Sequence, residues 1–416
     1  MKPVDSRHRE IFVGILWVGF FVLIGKSAGA AKEMAVAWRY GVGAEVDAYV
    51  FILNLINWPV SVWFSIVSVV LLPLIANLKL GAPEDLLIFR SELLGLTLFL
   101  ALILGVGSWI GLPILLQNEW LGMTGVTISH ALKMIDGLAI VGPIGIIIST
   151  FSACLLAMGA HRNTLFEAIP SLILLLMLLS MSNSYFEPLV LGTVIGYGVH
   201  ALALGMSLYR RDELTKIRLS QQSEAWKFFW TSVGVMSIGQ VLSSFTGMID
   251  QLYAVGLPEG TLAIFNYANR ILALILGLGA TTISRATLPV FTNNFGGKKA
   301  KELVIVRQWS LLMFCMALLL ILISWMFAPL MVRIIFEHGA FTSDNTQSVT
   351  EIFRISLFQI LFYFPSLVLI SMLVSQRRYA IIALSGGVNL VSKIIFNSIL
   401  VPIYAAQGLI LSTVLM

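Results

Sequence analysis

The chain has 416 residues, of which 58% are hydrophobic and 11% are charged. Polar side chains could not cover that much apolar surface in water, so the composition excludes a soluble globular enzyme and predicts an all-α polytopic membrane protein. The formal charge of +5 is spread over loops, with no basic arm carrying interleaved aromatic residues, which argues against a nucleic-acid partner.

Apolar segments long enough to cross a hydrocarbon layer of about 30 Å recur along the chain. They predict membrane helices over residues 11–40, 47–75, 92–117, 134–157, 165–181, 187–208, 228–256, 261–291, 309–335, 350–374 and 379–401. A twelfth begins at about Ala406 and is still apolar at Met416, so we expect an incomplete last helix. The N-terminus also has the pattern of a signal peptide. A retained first helix is favoured, because its pattern continues through Lys32 and Trp38.

Basic residues predict the orientation of these helices. Of the 26 Lys and Arg residues, 17 lie in the N-terminus or in every second loop, and two lie in the alternating loops. The positive-inside rule therefore predicts a multi-pass protein of the bacterial inner membrane with a cytoplasmic N-terminus. The longest basic loop predicts a six-helix lobe over residues 1–208, a cytoplasmic linker over 209–227 and a second lobe over 228–416. Two six-helix lobes around a central cavity are a common transporter plan.

Several charged residues lie inside the apolar segments, where each costs about 2.5–3.5 kcal/mol and is expected to face a cavity or a partner. In the first segment, Lys26 and Glu33 are seven residues apart and share one helical face, close to Lys32. The alternative is that the first helix ends near Ile24, which would leave these charges at the outer interface.

Three charges of the second half, Asp250, Arg270 and Lys393, are predicted at a similar depth, roughly 9–14 Å below the outer surface. Asp250 could neutralise either cation, and a purely structural ion pair is the alternative to a binding role. Asn389 lies four residues before Lys393, so both are expected on one interior face. The surplus positive charge indicates an anionic cargo.

Catalytic and metal-binding patterns are not apparent in the sequence. The five histidines lack metal-ligand spacing, and Cys154 and Cys315 lie in apolar segments, where we expect small core residues without a disulfide or metal role. We therefore predict a protein that is not an enzyme and needs no metal or cofactor.

Several short motifs occur in the order found in one family of membrane transporters. The first group is Gly25-Lys26, Lys32-Glu33, Tyr40-Gly41 and Asp47-Ala48-Tyr49. The second group is Ile249-Asp250, Tyr267-Ala268-Asn269-Arg270, the loop from Phe336 to Thr342, Val388-Asn389, and Val401-Pro402 followed by Gly408-Leu409. Together they resemble the MurJ/MviN lipid II flippases, which belong to the multidrug/oligosaccharidyl-lipid/polysaccharide exporter superfamily.

The resemblance implies alternating access by two lobes and export of an undecaprenyl-diphosphate-linked glycan, with glycan-synthesis enzymes as candidate partners. Lys26, Lys32 and Arg270 would bind the diphosphate, which requires two or more cations in a low-dielectric cavity. Glu33 and Asp47 would orient or gate these cations. Charge balance in the second lobe would fall to the remaining polar residues, Asp250, Asn389 and Lys393.

The chain also departs from the family pattern. Val60-Ser61 and Ser65 stand where the family carries an Arg-Arg pair and a Glu, and lysine replaces arginine at two cavity positions. Lysine keeps the charge but not the bidentate phosphate geometry, which favours another lipid-linked glycan, such as an exopolysaccharide unit, over lipid II. In the superfamily a monovalent cation can bind in the second lobe. We hypothesise that the Lys393 ammonium takes its place beside Asp250, which makes transport independent of sodium.

Three other functions are alternatives to export of a lipid-linked glycan. A multidrug/cation antiporter of the same superfamily would need an acidic cavity, whereas cations are in surplus here. A membrane-embedded glycosyltransferase or ligase would need an acidic pair and a sizeable outer loop, and neither is visible. A non-transporting scaffold in glycan synthesis fits the missing arginines of the second helix.

Overall fold

The computed structural model describes residues 25–416 except for residues 82, 119–120, 159–160, 182–186, 212, 214–215, 294–298 and 377. All regular elements in these residues are helical. The α-helices are α1 (residues 25–40), α2 (Ala44–Gly81), α3 (Pro83–Leu116), α4 (Gly125–Leu138), α5 (Val141–Ala157), α6 (Ile169–Ser180), α7 (Glu187–Tyr209), α8 (Ala225–Val255), α9 (Thr261–Asn293), α10 (Lys299–Phe336), α11 (Ser343–Ser356), α12 (Gln359–Ser375) and α13 (Tyr379–Leu415). A 3₁₀-helix, His161–Ala168, precedes α6.

Within the described residues, eight helical stretches are long and apolar enough to cross a membrane. A ninth forms when α4 and α5, which meet at a bend of 50°, are counted as one span. Large apolar side chains are exposed on these helices, with Leu202 at 74% and Val235 at 71%. Because lipid is the solvent that suits such surfaces, the chain is an all-α multi-pass membrane protein, as the composition predicts.

Helix ends differ from the prediction where local polar groups or backbone geometry decide them. The predicted helix over 350–374 begins earlier, at Ser343, because the Thr342 side chain accepts a hydrogen bond from the Asn345 N–H over 3.4 Å and caps α11. The predicted break after residue 401 is a kink within α13 at Ala405, where φ is 49°. The predicted start of the first helix and the N-terminal basic residues lie outside the described residues.

The contacts divide the chain into two compact units. The first contains residues up to Val36, Ala48–Trp120 and Gly125–Val241, and the second contains Ala37–Asp47, Leu121–Thr124 and Leu242–Met416. The turn between α1 and α2 therefore packs with the second unit. The lobes and linker drawn from the loop charges stay a prediction.

Each unit has an aromatic cluster that fixes its helices. In the first unit, the Trp226 ring of α8 lies 5.1 Å from the ring centroids of both Phe89 and Phe229. In the second unit, the Tyr267 ring of α9 lies 4.9 Å from Phe336 and 5.6 Å from Phe341. Such rings are buried and contribute strongly to packing, so the polar side chains around them are held in defined positions.

Candidate functional site

The cations of α1 lie on a continuous helix. Residues 25–40 are helical, so Lys26, Lys32 and Glu33 share one helix. The alternative end of the first helix near Ile24 lies outside the described residues. The Lys32 Nζ lies 2.7 Å from Glu33 Oε1, and the two side chains are 15% and 14% exposed. Lys26, which precedes this pair by almost two turns, is exposed at the protein surface. The helix therefore presents one exposed cation and one cation already paired with its neighbour.

Arg270 is the cation of the second half of the chain that was predicted to bind the diphosphate. It lies on α9 and is exposed, one turn after Asn266, whose Nδ2 donates to the Leu262 carbonyl over 2.8 Å. Its unit differs from that of Lys26 and Lys32. A shared binding site for the three cations stays a prediction.

Asp47 is 5% exposed and anchors the start of α9. Its Oδ2 accepts a hydrogen bond from the Gly260 N–H over 2.6 Å, and its Oδ1 accepts one from the Ala263 N–H over 2.7 Å. A helix N-terminus leaves such N–H groups without intrahelical acceptors and carries partial positive charge. The carboxylate satisfies both requirements, so Asp47 caps α9 whatever other role it has.

Three of the family-like motifs meet at the turn between α1 and α2. The Tyr267 hydroxyl donates to the Gly41 carbonyl over 3.0 Å, and the Ala340 N–H donates to the Trp38 carbonyl over 2.7 Å. Gly41 has a φ of 60°, and a β-carbon there would lie 2.5 Å from the Ala340 oxygen. The first-helix motif and the loop from Phe336 to Thr342 therefore interlock, and this contact requires glycine.

Asp250 forms a buried ion pair with Lys393. The Lys393 Nζ lies 2.7 Å from Asp250 Oδ1, and the side-chain exposures are 0% and 9%. Asn397 Nδ2 donates to the same carboxylate oxygen over 3.3 Å. An isolated charge at such a position would be expensive, and the pairing together with the amide lowers that cost.

Further oxygens complete the surroundings of the Lys393 ammonium. It donates to Ser412 Oγ over 3.0 Å, to the Leu409 carbonyl over 3.4 Å and to the Thr413 hydroxyl. Thr413 also donates to Asp250 Oδ2 over 3.5 Å. We call this group the ammonium cage, defined by Asp250, Leu409, Ser412 and Thr413 around Lys393. Asn389, four residues before Lys393, is half-buried.

The second helix has apolar packing where the resembling family carries arginines. Val60 is buried, and a β-carbon at Gly145 of α5 would lie 2.9 Å from Val60 Cγ1. The Ser61 hydroxyl donates to the Trp58 carbonyl over 2.8 Å, within its own helix. These positions hold α2 against α5 and offer no charge to a diphosphate.

Sequence reasoning missed a buried carboxylate near the start of α3. Glu92 is 1% exposed, and its Oε1 accepts from Ser220 Oγ over 2.6 Å and from the Gln222 N–H over 2.7 Å. Its Oε2 accepts from Trp226 Nε1 over 2.7 Å and from the Ser223 N–H over 3.2 Å. We call residues 216–226 the strap, because Glu92 fastens them to α3. The sequence signal that could have indicated this site is the position of Glu92, an acidic residue at the edge of the apolar segment 92–117.

The two cysteines differ in exposure. Cys154 is buried, as predicted, whereas Cys315 is exposed, so its prediction as a core residue is wrong. Cys315 belongs to α10, and its apolar surroundings in sequence reflect contact with lipid. Within the part of the chain that the structure describes, no group of three or more His, Cys, Asp or Glu residues could hold a metal ion.

Sequence comparisons identify the family to which the chain belongs. The family model described as lipid II flippase MurJ matches residues 37–416. A protein of Bdellovibrio bacteriovorus named "Probable lipid II flippase MurJ" is 26% identical over 231 residues, covering 55% of this chain and 44% of that protein. The protein of the same name from Buchnera aphidicola is 19% identical over 383 residues, covering 88% of this chain and 72% of that protein. The chain thus spans less than half the length of the first relative.

Solved structures show the same fold. A lipid II flippase MurJ in an inward closed conformation superposes with a TM-score of 0.83 at 17% identity, covering 96% of this chain and 84% of that chain. An inward-facing multidrug resistance transporter of the same superfamily superposes with a TM-score of 0.71 at 15% identity, covering 94% and 90%. At such identities these likenesses describe architecture only.

Proposed function

Because this chain belongs to the lipid II flippase MurJ family, we propose that it moves a polyprenyl-diphosphate-linked glycan across the bacterial inner membrane. The match over residues 37–416 is the observation that carries this proposal. We take lipid II as the first candidate cargo, and an exopolysaccharide repeat unit as the second, since apolar packing replaces the arginines of helix α2. The protein is proposed to act by alternating access, without chemistry on its cargo.

Positive charge on α1 and α9 supports an anionic headgroup. Lys26, Lys32 and Arg270 are proposed to contact the diphosphate. Charge-assisted hydrogen bonds to phosphate are stronger than neutral ones, and a site sheltered from water increases their strength further. Glu33 holds the Lys32 ammonium at 2.7 Å, so it can keep that cation in place until phosphate replaces the carboxylate.

The remaining acidic residues are proposed to balance charge and to fix helices. Asp47 caps α9 with both carboxylate oxygens, and this fixes the helix that carries Arg270. Asp250 balances the charge of Lys393 within the ammonium cage, and Asn397 donates a hydrogen bond to the same carboxylate. Since the Lys393 ammonium already occupies an all-oxygen site, transport is proposed to be independent of sodium.

Orientation and partners are also proposals. The distribution of Lys and Arg between loops supports a cytoplasmic N-terminus. Enzymes of glycan synthesis on either face are the proposed neighbours.

Reconstitution tests the proposed function directly. The purified protein is placed in proteoliposomes that contain fluorescent lipid II, and a membrane-impermeant quencher reports the labelled lipid on the outer face over time. We expect quenching to exceed that of protein-free vesicles and to be competed by unlabelled lipid II. Transport of a polyprenyl-diphosphate exopolysaccharide unit alone would assign the second cargo. Equal rates with and without protein, for both lipids, would indicate a scaffold rather than a transporter.

A further inference from the structure

A groove with a volume of about 370 Å³ lies between α3, the strap and the start of α8. Its apolar lining includes Leu96 and Phe99 of α3, Leu219 of the strap and Trp226 of α8. Phe99 is 53% exposed, so the groove is open toward the surroundings of the membrane-spanning helix. From Glu92 to Phe99 it follows α3 for roughly 10 Å.

Several hydrogen bonds hold the strap against α3. Beyond the four hydrogen bonds to Glu92, the Arg218 N–H donates to the Ser91 carbonyl over 3.1 Å. A β-carbon at Gly95 would lie 2.0 Å from the Arg218 oxygen, so glycine allows the strap to approach α3. Because Glu92 is saturated by donors and 1% exposed, its negative charge is shielded from anything in the groove.

The outer side of the strap alternates basic and apolar residues. Lys216, Ile217, Arg218 and Leu219 are all exposed, with Ile217 at 59% and Leu219 at 83%. Residues 209–227 contain five basic and three acidic side chains, and one of the acids, Glu213, pairs with Arg90. The strap lies in the sequence between α7 and α8, which are both long and apolar enough to cross a membrane, so we expect it at the membrane surface. Cations beside exposed apolar side chains suit an anionic lipid headgroup region.

We propose that this groove binds an acidic glycerophospholipid. Its phosphate contacts Lys216 and Arg218, and one acyl chain lies in the groove along Leu96 and Phe99. Charge complementarity selects the acidic lipid over a zwitterionic one, because the exposed Lys216 and Arg218 precede the groove residue Leu219 on the strap. Besides its apolar side chains, the groove is lined by Glu92, Ser220 and Gln221. The bound lipid would cover the exposed Leu219 and hold the strap at the bilayer surface. This site is separate from the proposed cargo contacts on α1 and α9.

Lipid retention measured by native mass spectrometry tests the site. The purified protein is mixed with phosphatidylglycerol or phosphatidylcholine, and dissociation of each lipid is compared among variants. We expect the wild type to retain phosphatidylglycerol selectively. Each surface cation contributes about 1 kcal/mol to binding acidic lipid, so the Lys216→Gln/Arg218→Gln variant should bind on the order of 30-fold more weakly. The Leu219→Ser variant should also lose retention, with both lipids.

The matched control removes two other exposed cations from loops predicted on the same membrane face, Lys79→Gln/Arg378→Gln. It should retain phosphatidylglycerol like the wild type. Equal weakening in this control would show general surface attraction and overturn the proposal, as would equal retention of the two lipids by the wild type. Displacement of phosphatidylglycerol by undecaprenyl phosphate at equal concentration would assign the groove to a polyprenyl lipid instead. None of these outcomes depends on whether the protein flips a glycan.

Discussion

The Lys393 ammonium lies 2.7 Å from the Asp250 carboxylate, and the two side chains are 0% and 9% exposed. This contact joins α8 to α13 inside the second unit. A buried pair of this kind contributes modestly when intact, because desolvation offsets the attraction. Its importance emerges when one partner is removed and the other charge is left unpaired.

The Asp250–Lys393 pair should therefore show strong non-additivity. Asp250→Asn leaves a buried ammonium without its counter-ion, and we expect a loss of about 3–5 kcal/mol in stability. The double variant Asp250→Asn/Lys393→Met removes both charges and should recover most of that loss. Thermal unfolding of the purified variants in one detergent measures this. A double variant less stable than both single variants would contradict the assignment of a mutually compensating pair.

Sodium should stabilise the protein only after the ammonium is removed. In the wild type the Lys393 Nζ fills the ammonium cage, so replacing potassium with sodium should leave the unfolding midpoint unchanged. Lys393→Ser leaves the carboxylate, a carbonyl and hydroxyl oxygens without a cation, and such oxygens suit a hard monovalent ion. We expect this variant to gain stability with added sodium. A sodium-dependent midpoint in the wild type would refute the hypothesis of an internal cation.

Variants of Asp47 can separate its role as the hydrogen-bond cap of α9 from the role of its negative charge. Asp47→Ala removes both acceptors for the N–H groups of α9, and we expect a loss of about 1–2 kcal/mol. Asp47→Asn keeps one acceptor oxygen and should be milder. Glu45→Ala, two residues earlier in the same helical turn, is the matched control and should change stability little. If Asp47→Asn unfolds normally yet abolishes flipping, the carboxylate charge has a role beyond the cap.

Loss of the Glu92 anchor should release the strap. Glu92→Gln replaces one acceptor oxygen by an amide donor that faces other donors. Two of the four hydrogen bonds that Glu92 accepts from the strap are therefore lost. We expect trypsin to cleave after Lys216 and Arg218 faster than in the wild type, with fragments identified by mass spectrometry. Glu84→Gln at the exposed start of α3 is the control. Unchanged cleavage in the Glu92 variant would show that other contacts are sufficient.

Hydropathy was enough to predict the helical membrane fold. Most predicted segments correspond to helices because the need to satisfy backbone groups in lipid leaves few alternatives. The errors occur where local chemistry decides: Thr342 starts α11 early, and Cys315 faces outward on a helix that is apolar on all sides. Apolar composition cannot distinguish a lipid-facing residue from a core residue in such a helix.

The candidate site was only partly predictable. The spacing of Asn389 and Lys393 indicated an interior polar face, and Asp250 was expected to meet a cation. Ser412 and Thr413 were not predicted, because hydroxyls in an apolar helix are common and often satisfied by their own backbone. The sequence predicted the break after residue 401, but not the direction of the chain after the kink at Ala405, on which the contacts of both hydroxyls with Lys393 depend.

The central claim is that cations of α1 and α9 bind a diphosphate. The most direct test is to measure how fast the Arg270→Gln variant flips lipid II in proteoliposomes. The matched control is Arg354→Gln, which removes an arginine that stacks on Trp325 at 5.4 Å. Losing a charged hydrogen bond of about 1.5–3 kcal/mol should slow the Arg270 variant by roughly 10- to 100-fold, while the control keeps wild-type speed. A rate for Arg270→Gln equal to that of the wild type, in protein that unfolds normally, would contradict the account.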